Sequence, residues 1–150
     1  MKQIFTWFFF IAFIQNSSAC ICELFWNDWN EQQMIDVINY SDVIFIGELK
    51  ARADDCYEFE IIEIFNGSLK KGEIVTGYYV TSCSDMPYRN GEYLIYGDYK
   101  IIDYEIFLDY SLCSPSRNIS DLETEQEIDY LTKELKFLNE CFDKEITTKR

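Results

Sequence analysis

The sequence predicts a mainly β fold, with five strands closed or nearly closed into a barrel, a short helix before them and a long amphipathic helix after. Three observations predict it. Runs of five to ten β-branched and aromatic residues recur between turn signals from Asp42 to Tyr110. One of those runs changes its hydrophobic phase midway, which is how a strand bends around a small barrel. Apolar residues adopt three-and-four spacing over a long stretch only after Ser120.

The chain opens on an export signal. Lys2 supplies a minimal charged region, Ile4 to Ile14 is almost unbroken apolar sequence, and Ser17-Ser18-Ala19 places small residues where a signal peptidase cuts. Cleavage after Ala19 takes residues 1–19 from the 150-residue chain and leaves 131, a length suited to one domain over residues 20–150. The apolar stretch is too short to span a bilayer, and no later run approaches about 20 apolar residues. Cleavage there also makes Cys20 the first residue of the mature protein, within Cys20-Ile21-Cys22. A cysteine at the cleavage site is equally what a lipoprotein signal offers, so a lipid anchor at Cys20 is the alternative to a free N-terminus.

Asn30 to Tyr40 reads as a short helix, with Met34, Ile35, Val37 and Ile38 at its apolar positions, and a Ser-Asp step ends it. Asp42 to Lys50 is a strand apolar on both faces, as expected of one lying between a core and a covering helix. Cys56 to Phe65 alternates Tyr57, Phe59 and Ile61 against Glu58 and Glu60, then slips at Ile61-Ile62, which predicts a bulge. Asn66-Gly67-Ser68 and Lys70-Lys71-Gly72 form a connector, and Ile74 to Val80 returns as a strand. Asn90-Gly91 is a second turn signal before the strand Glu92 to Tyr96, and Ile101 to Tyr110 holds the fifth. Ser120 with Glu123 forms a capping box, and Ile128, Leu131, Leu135, Leu138 and Phe142 make the stripe of a helix that packs on the barrel.

Composition narrows the chemistry. The precursor has net charge -14, and losing Lys2 makes it -15, a field that disfavours nucleic acid and anionic membranes as partners. There is no histidine, which excludes Ser-His-Asp and Cys-His nucleophilic systems and histidine-bearing zinc sites. Glu58, Glu60 and Glu63 share a strand but alternate with core positions as a solvated face does, and no phosphate-binding glycine loop is present, so an enzyme is not expected. The aromatic content of 17% reads as barrel core and sheet surface rather than a stacking platform. No cofactor and no intrinsic metal are expected. Asn39, Asn66 and Asn118 head Asn-x-Ser sequons.

Six cysteines, at 20, 22, 56, 83, 113 and 141, in an exported domain argue for disulfides. Cys20 and Cys22 are too close along an extended chain to bridge each other comfortably, and the remaining pairings stay open at this level. Cys141 lies beside the apolar stripe of the last helix, where it can staple helix to sheet.

The Cys20-Ile21-Cys22 start, DVIFIGEL, YEFEIIEIFNG, EYLIYG and the cysteine within YSLCSPSRNIS together resemble the tissue inhibitor of metalloproteinases family of netrin-like modules, from Cys20 to about Asp121. The resemblance implies a five-stranded OB barrel with flanking helices. It implies disulfides Cys20 with Cys83 and Cys22 with Cys113, and Cys56 with Cys141 then follows by elimination. It further implies that the α-amine and carbonyl of Cys20 chelate the catalytic zinc of a secreted or cell-surface metalloproteinase, displacing its water. By the same resemblance Ile21 would enter the specificity pocket, with Cys22 and Glu23 beside it, and Tyr79, Val80, Thr81 and Ser82 would complete the contact ridge up to Cys83. The alternative is a netrin-like extracytoplasmic binding module or lipoprotein that does not inhibit.

Overall fold

The computed structural model describes residues 30–148, with side chains through Phe142. The expected export signal and cleavage site, with residues Cys20, Ile21, Cys22 and Glu23, lie outside the described residues. Helix α1 is Glu31–Tyr40, and its N-cap is Asn30, whose side-chain oxygen accepts the Gln33 N–H at 3.2 Å. Five strands follow, β1 Val43–Arg52, β2 Cys56–Asn66, β3 Ile74–Tyr78, β4 Glu92–Ile102 and β5 Glu105–Tyr110. The two-residue strand β6, Arg117–Asn118, adds to β4, and helix α2 runs Glu125–Thr148.

Strand order β1-β2-β3-β5-β4 closes on itself because β4 also pairs with β1, giving a closed five-stranded, OB-like barrel. Length makes the closure workable. The first half of β4, Glu92–Gly97, pairs with β1, and its second half, Gly97–Ile102, pairs with β5. The seam is the parallel contact of β3 with β5 at Gly77 and Leu108.

Alternation sorts the apolar residues into two cores. Val43 and Phe45 of β1, with Tyr93 and Ile95 of β4, fill the barrel beside Tyr57, Phe59 and Leu108. Their neighbours Ile44, Ile46, Leu94 and Tyr96 point outward and are covered by Met34 of α1 and Leu138 of α2. This is the two-sided burial expected of Asp42 to Lys50. The phase slip in β2 is a bulge. Ile46 faces Glu63 and Gly47 faces Ile61, which leaves Ile62 as the extra residue. Upstream of it Tyr57, Phe59 and Ile61 enter the barrel, whereas Ile62 and Phe65 join the helix-covered core.

Three boundaries differ from the expectation. Ile101 to Tyr110 is a hairpin rather than one strand. β4 runs on to Ile102, Asp103 and Tyr104 turn with φ of 51° and 72°, and β5 returns. Positive φ at both central residues gives the turn a twist matched to its strands, but neither residue advertises it as Asn-Gly does. Ile74 to Val80 pairs only as far as Tyr78. The last helix starts at Glu125, and its capping box is Thr124 with Glu127. The Thr124 Oγ1 accepts the Glu127 N–H at 3.2 Å, and Glu127 Oε2 accepts the Thr124 N–H at 2.9 Å. Ser120 has another use, since its Oγ accepts the Glu92 N–H at 2.8 Å and secures the start of β4. Ile128, one turn into α2, is half-exposed, and the buried stripe begins at Leu131.

Candidate functional site

The segment after β3 is built from its hydroxyls. Ser84 is 1% exposed, and its Oγ accepts the Val80 N–H at 3.2 Å and the Thr81 N–H at 2.9 Å. With both lone pairs occupied, its proton is left for Thr81 Oγ1, 3.3 Å away, which also accepts the Cys83 N–H at 3.1 Å. The Ser84 N–H closes the turn on the Thr81 carbonyl at 3.0 Å. This small network satisfies the backbone of a loop that cannot pair as a strand. It leaves Tyr79, Val80, Thr81 and Ser82 standing outward as an exposed ridge.

The ridge is stitched to the segment after β5. Asp85 N–H donates to the Tyr110 carbonyl at 2.7 Å, Ser84 bridges to Ser111, and Leu112 N–H donates to the Cys83 carbonyl at 2.9 Å. Cys83 and Cys113 therefore stand side by side, and both are disulfide-bonded. Tyr79 (46% exposed), Val80 (37%) and Leu112 (51%) give this end of the barrel an apolar outer surface. Leu112 escapes sequence reasoning because only the hydrogen-bonded pairing of the two loops brings it to the ridge. Ser84 was open to sequence reasoning, since Thr-Ser-Cys-Ser can form a hydroxyl-capped turn.

Beneath the ridge the seam is tight. A Cβ on Gly77 would sit 2.1 Å from the Tyr57 ring, so β3 can reach β5 only with glycine there. The Tyr57 hydroxyl donates to the Leu108 carbonyl across the barrel at 3.3 Å, and burial pushes its pKa far up. Asp85, half-buried below the ridge, is pushed up by burial, which the Met86 N–H on its Oδ1 partly offsets. Beside Cys113, a cavity of about 380 Å³ runs under the end of α1 and is lined by Tyr96, Asp98 and Ser114. Asp98 is pushed up chiefly by burial, then by Asp42 and Asp109, against Lys100.

Cys56 is a reduced thiol, so the pairing of Cys56 with Cys141 reached by elimination is not formed. Cys56 begins β2 opposite Tyr78, whereas α2 packs on Ile62 and Phe65 at the strand's other end. Eight strand residues lie between Cys56 and Phe65, a span of roughly 25–30 Å, and a disulfide needs Cα atoms within about 7 Å. Glu58 and Glu63 are exposed, and Glu60 holds Lys50 at 2.8 Å opposite Glu48. Of the sequon asparagines, Asn39 is exposed, Asn66 donates to the Ser41 carbonyl at 3.3 Å, and Asn118 accepts the N–H groups of Ser120 and Asp121. Among the described residues no group of three or more His, Cys, Asp or Glu side chains is placed to hold a metal ion. No described helix is long and apolar enough to cross a membrane.

The fold and the ridge define a class, a closed OB-like barrel with a partly apolar, exposed edge beside two disulfide-bonded cysteines. No protein-family model matches the chain, and no curated protein matches it.

Proposed function

We propose that this chain is an exported protease inhibitor of the tissue inhibitor of metalloproteinases kind. In this reading Cys20 is the mature N-terminus, and its α-amine and carbonyl chelate the catalytic zinc of a secreted or cell-surface metalloproteinase. Ile21 fills the adjoining specificity pocket. Cys22, Glu23 and the ridge Tyr79 to Ser82 extend the contact.

The observation that carries the reading is the side-by-side placement of Cys83 and Cys113, both disulfide-bonded and one hydrogen bond apart through Leu112. Neighbouring segments offset by one residue place two cysteines about 6 Å apart, close to the span of an extended Cys-x-Cys. Bridges from Cys20 to Cys83 and from Cys22 to Cys113 would fix the first three mature residues against the ridge and remove most of the ordering entropy from binding. An α-amine with a pKa near 8 supplies the neutral ligand form close to neutral pH.

The test begins with the intact mass and N-terminal sequence of the exported protein, followed by inhibition assays against zinc metalloproteinases. A mature chain starting at an unmodified Cys20 is expected to inhibit. The same chain with one alanine added before Cys20 is expected to fold and not to inhibit. Equal potency of the two forms overturns chelation. A lipidated Cys20, or a folded chain with no inhibition at all, moves the reading to a netrin-like binding module.

A further inference from the structure

We infer that the opposite end of the same barrel seam is a second docking site, which takes an extended segment of a partner protein in which apolar residues alternate with Lys or Arg. Strands β3 and β5 pair only at Gly77 and Leu108. Before that point they separate, and a cavity of about 540 Å³ opens between Ile74–Thr76 and Glu105–Phe107. Its size falls within the roughly 300–1,000 Å³ of ordinary ligand pockets. Two strand edges facing a gap are the template onto which an added strand can pair.

The side chains around the gap specify what fits. Along β5, Ile106 is in phase with the core residues Leu108 and Tyr110, and along β4 its ladder partner Ile101 is in phase with Tyr99. The inner face of the barrel therefore continues past its closed part as an apolar tongue, on which Ile106 is 67% exposed and Ile101 75% exposed. Exposed aliphatic residues continuous with a core are a recognised mark of a contact surface. Glu105 and Glu73 also line the gap, and no Lys or Arg does. Glu73 lies close enough to Tyr99 to help hold that hydroxyl protonated, after the larger effect of burial. An occupant with alternating side chains would place its apolar set on Ile106, Val75 and Tyr99, and its cations near the two carboxylates. A strand of alternating acidic residues would be repelled there, as it would by the chain's net charge of -14.

The site stands independently of the zinc-directed reading, because the ridge and this gap lie at opposite ends of β3 and β5. The test uses the full exported chain and two fluorescein-labelled peptides, acetyl-KVKIKVK-amide and acetyl-EVEIEVE-amide. The lysine peptide is expected to bind, with amide shifts in the protein concentrated at Ile74–Thr76 and Glu105–Phe107. Glu105→Lys and Ile106→Asp are each expected to weaken it at least tenfold with unchanged circular dichroism. Four outcomes overturn the proposal. They are equal binding of the glutamate peptide, shifts spread over other acidic surface, full binding by Glu105→Lys, and occupation of the same residues by a second copy of the chain or by zwitterionic phosphatidylcholine vesicles.

Discussion

The Tyr96 hydroxyl donates to Glu134 Oε1 at 2.7 Å, joining the barrel's outer face to helix α2 through a carboxylate with no solvent exposure. Arg117 Nη2 donates to the other oxygen, and its guanidinium also lies 5.8 Å from the centre of the Tyr130 ring. A buried carboxylate is tolerable only when both oxygens are satisfied and its charge is matched, and here three elements supply the means. Burial and then Glu134 push the Tyr96 hydroxyl well up, so it remains the donor throughout the working pH range.

Removing one partner should cost more than the pair is worth. Arg117→Ala strands the Glu134 charge in the covered core and is expected to destabilise by about 3–5 kcal/mol. Tyr96→Phe removes one charge-assisted hydrogen bond and is expected to cost about 1–3 kcal/mol. Urea unfolding of both variants checks the order. Arg117→Ala proving the milder change would contradict this account of α2 docking.

Ser84 organises the ridge, so Ser84→Ala tests whether ridge order is separable from the fold. Losing one acceptor that serves two N–H groups is expected to destabilise by about 1–2 kcal/mol. Amide exchange should accelerate at Val80 and Thr81 and stay slow at Phe59 and Ile95 in the barrel core. Uniform acceleration would mean that the loop and the barrel open together.

Gly77→Ala places a methyl group against the Tyr57 ring at the one point where β3 meets β5. Crowding of this kind is expected to cost about 1–3 kcal/mol. Thermal unfolding of Gly77→Ala beside Thr76→Ala, whose side chain is only partly buried, separates crowding from loss of strand propensity. Equal losses in the two variants would remove the steric explanation of the seam.

Much of the architecture could be read from residue pattern. The alternation of Val43 and Phe45 with Ile44 and Ile46, and the slip at Ile61-Ile62, state which face meets the barrel and which meets the helices, because burial follows the period of the pleat. The hairpin at Asp103-Tyr104 could not be read, since β-branched and aromatic residues continue through it and the strand pairing imposes the positive φ values. The start of α2 was ambiguous in principle. Ser120 with Glu123 and Thr124 with Glu127 both fit a capping box, and the first is lost because the Ser120 hydroxyl serves β4. At the ridge, the adjacency of Leu112 to Cys83 required the fold, because only the hydrogen-bonded pairing of the two loops creates it.

Stability should rise as the medium becomes mildly acidic. Burial raises the carboxyls of Asp85 and Asp98 above their unfolded values, so the folded state holds more protons than the unfolded state between the two pKa values. Stability contributed by these groups is then gained as pH falls through the raised folded value towards the usual carboxylate range near 4, and lost as pH rises through it. Asp98→Asn removes the ionisation and is expected to flatten the pH dependence of the unfolding midpoint over that window, with a gain at pH 7. An unchanged slope in both Asp85→Asn and Asp98→Asn would show that neither group carries the dependence.

The hairpin turn offers a gain rather than a loss. Tyr104 is fully exposed and holds φ of 72°, a conformation that costs an L-residue with a Cβ roughly 1–2 kcal/mol and costs glycine almost nothing. Glycine's greater freedom in the unfolded chain returns part of that difference, leaving an expected net stabilisation of about 0.5–1 kcal/mol for Tyr104→Gly. Adding Asp103→Asn completes the Asn-Gly pair that this turn geometry favours, and the hairpin amides should then exchange more slowly. The ring of Tyr104 touches only solvent, so no packing loss offsets the gain. A lower unfolding midpoint for Tyr104→Gly would mean that the ring supports the hairpin in the unfolded or native chain in a way the strained turn conceals.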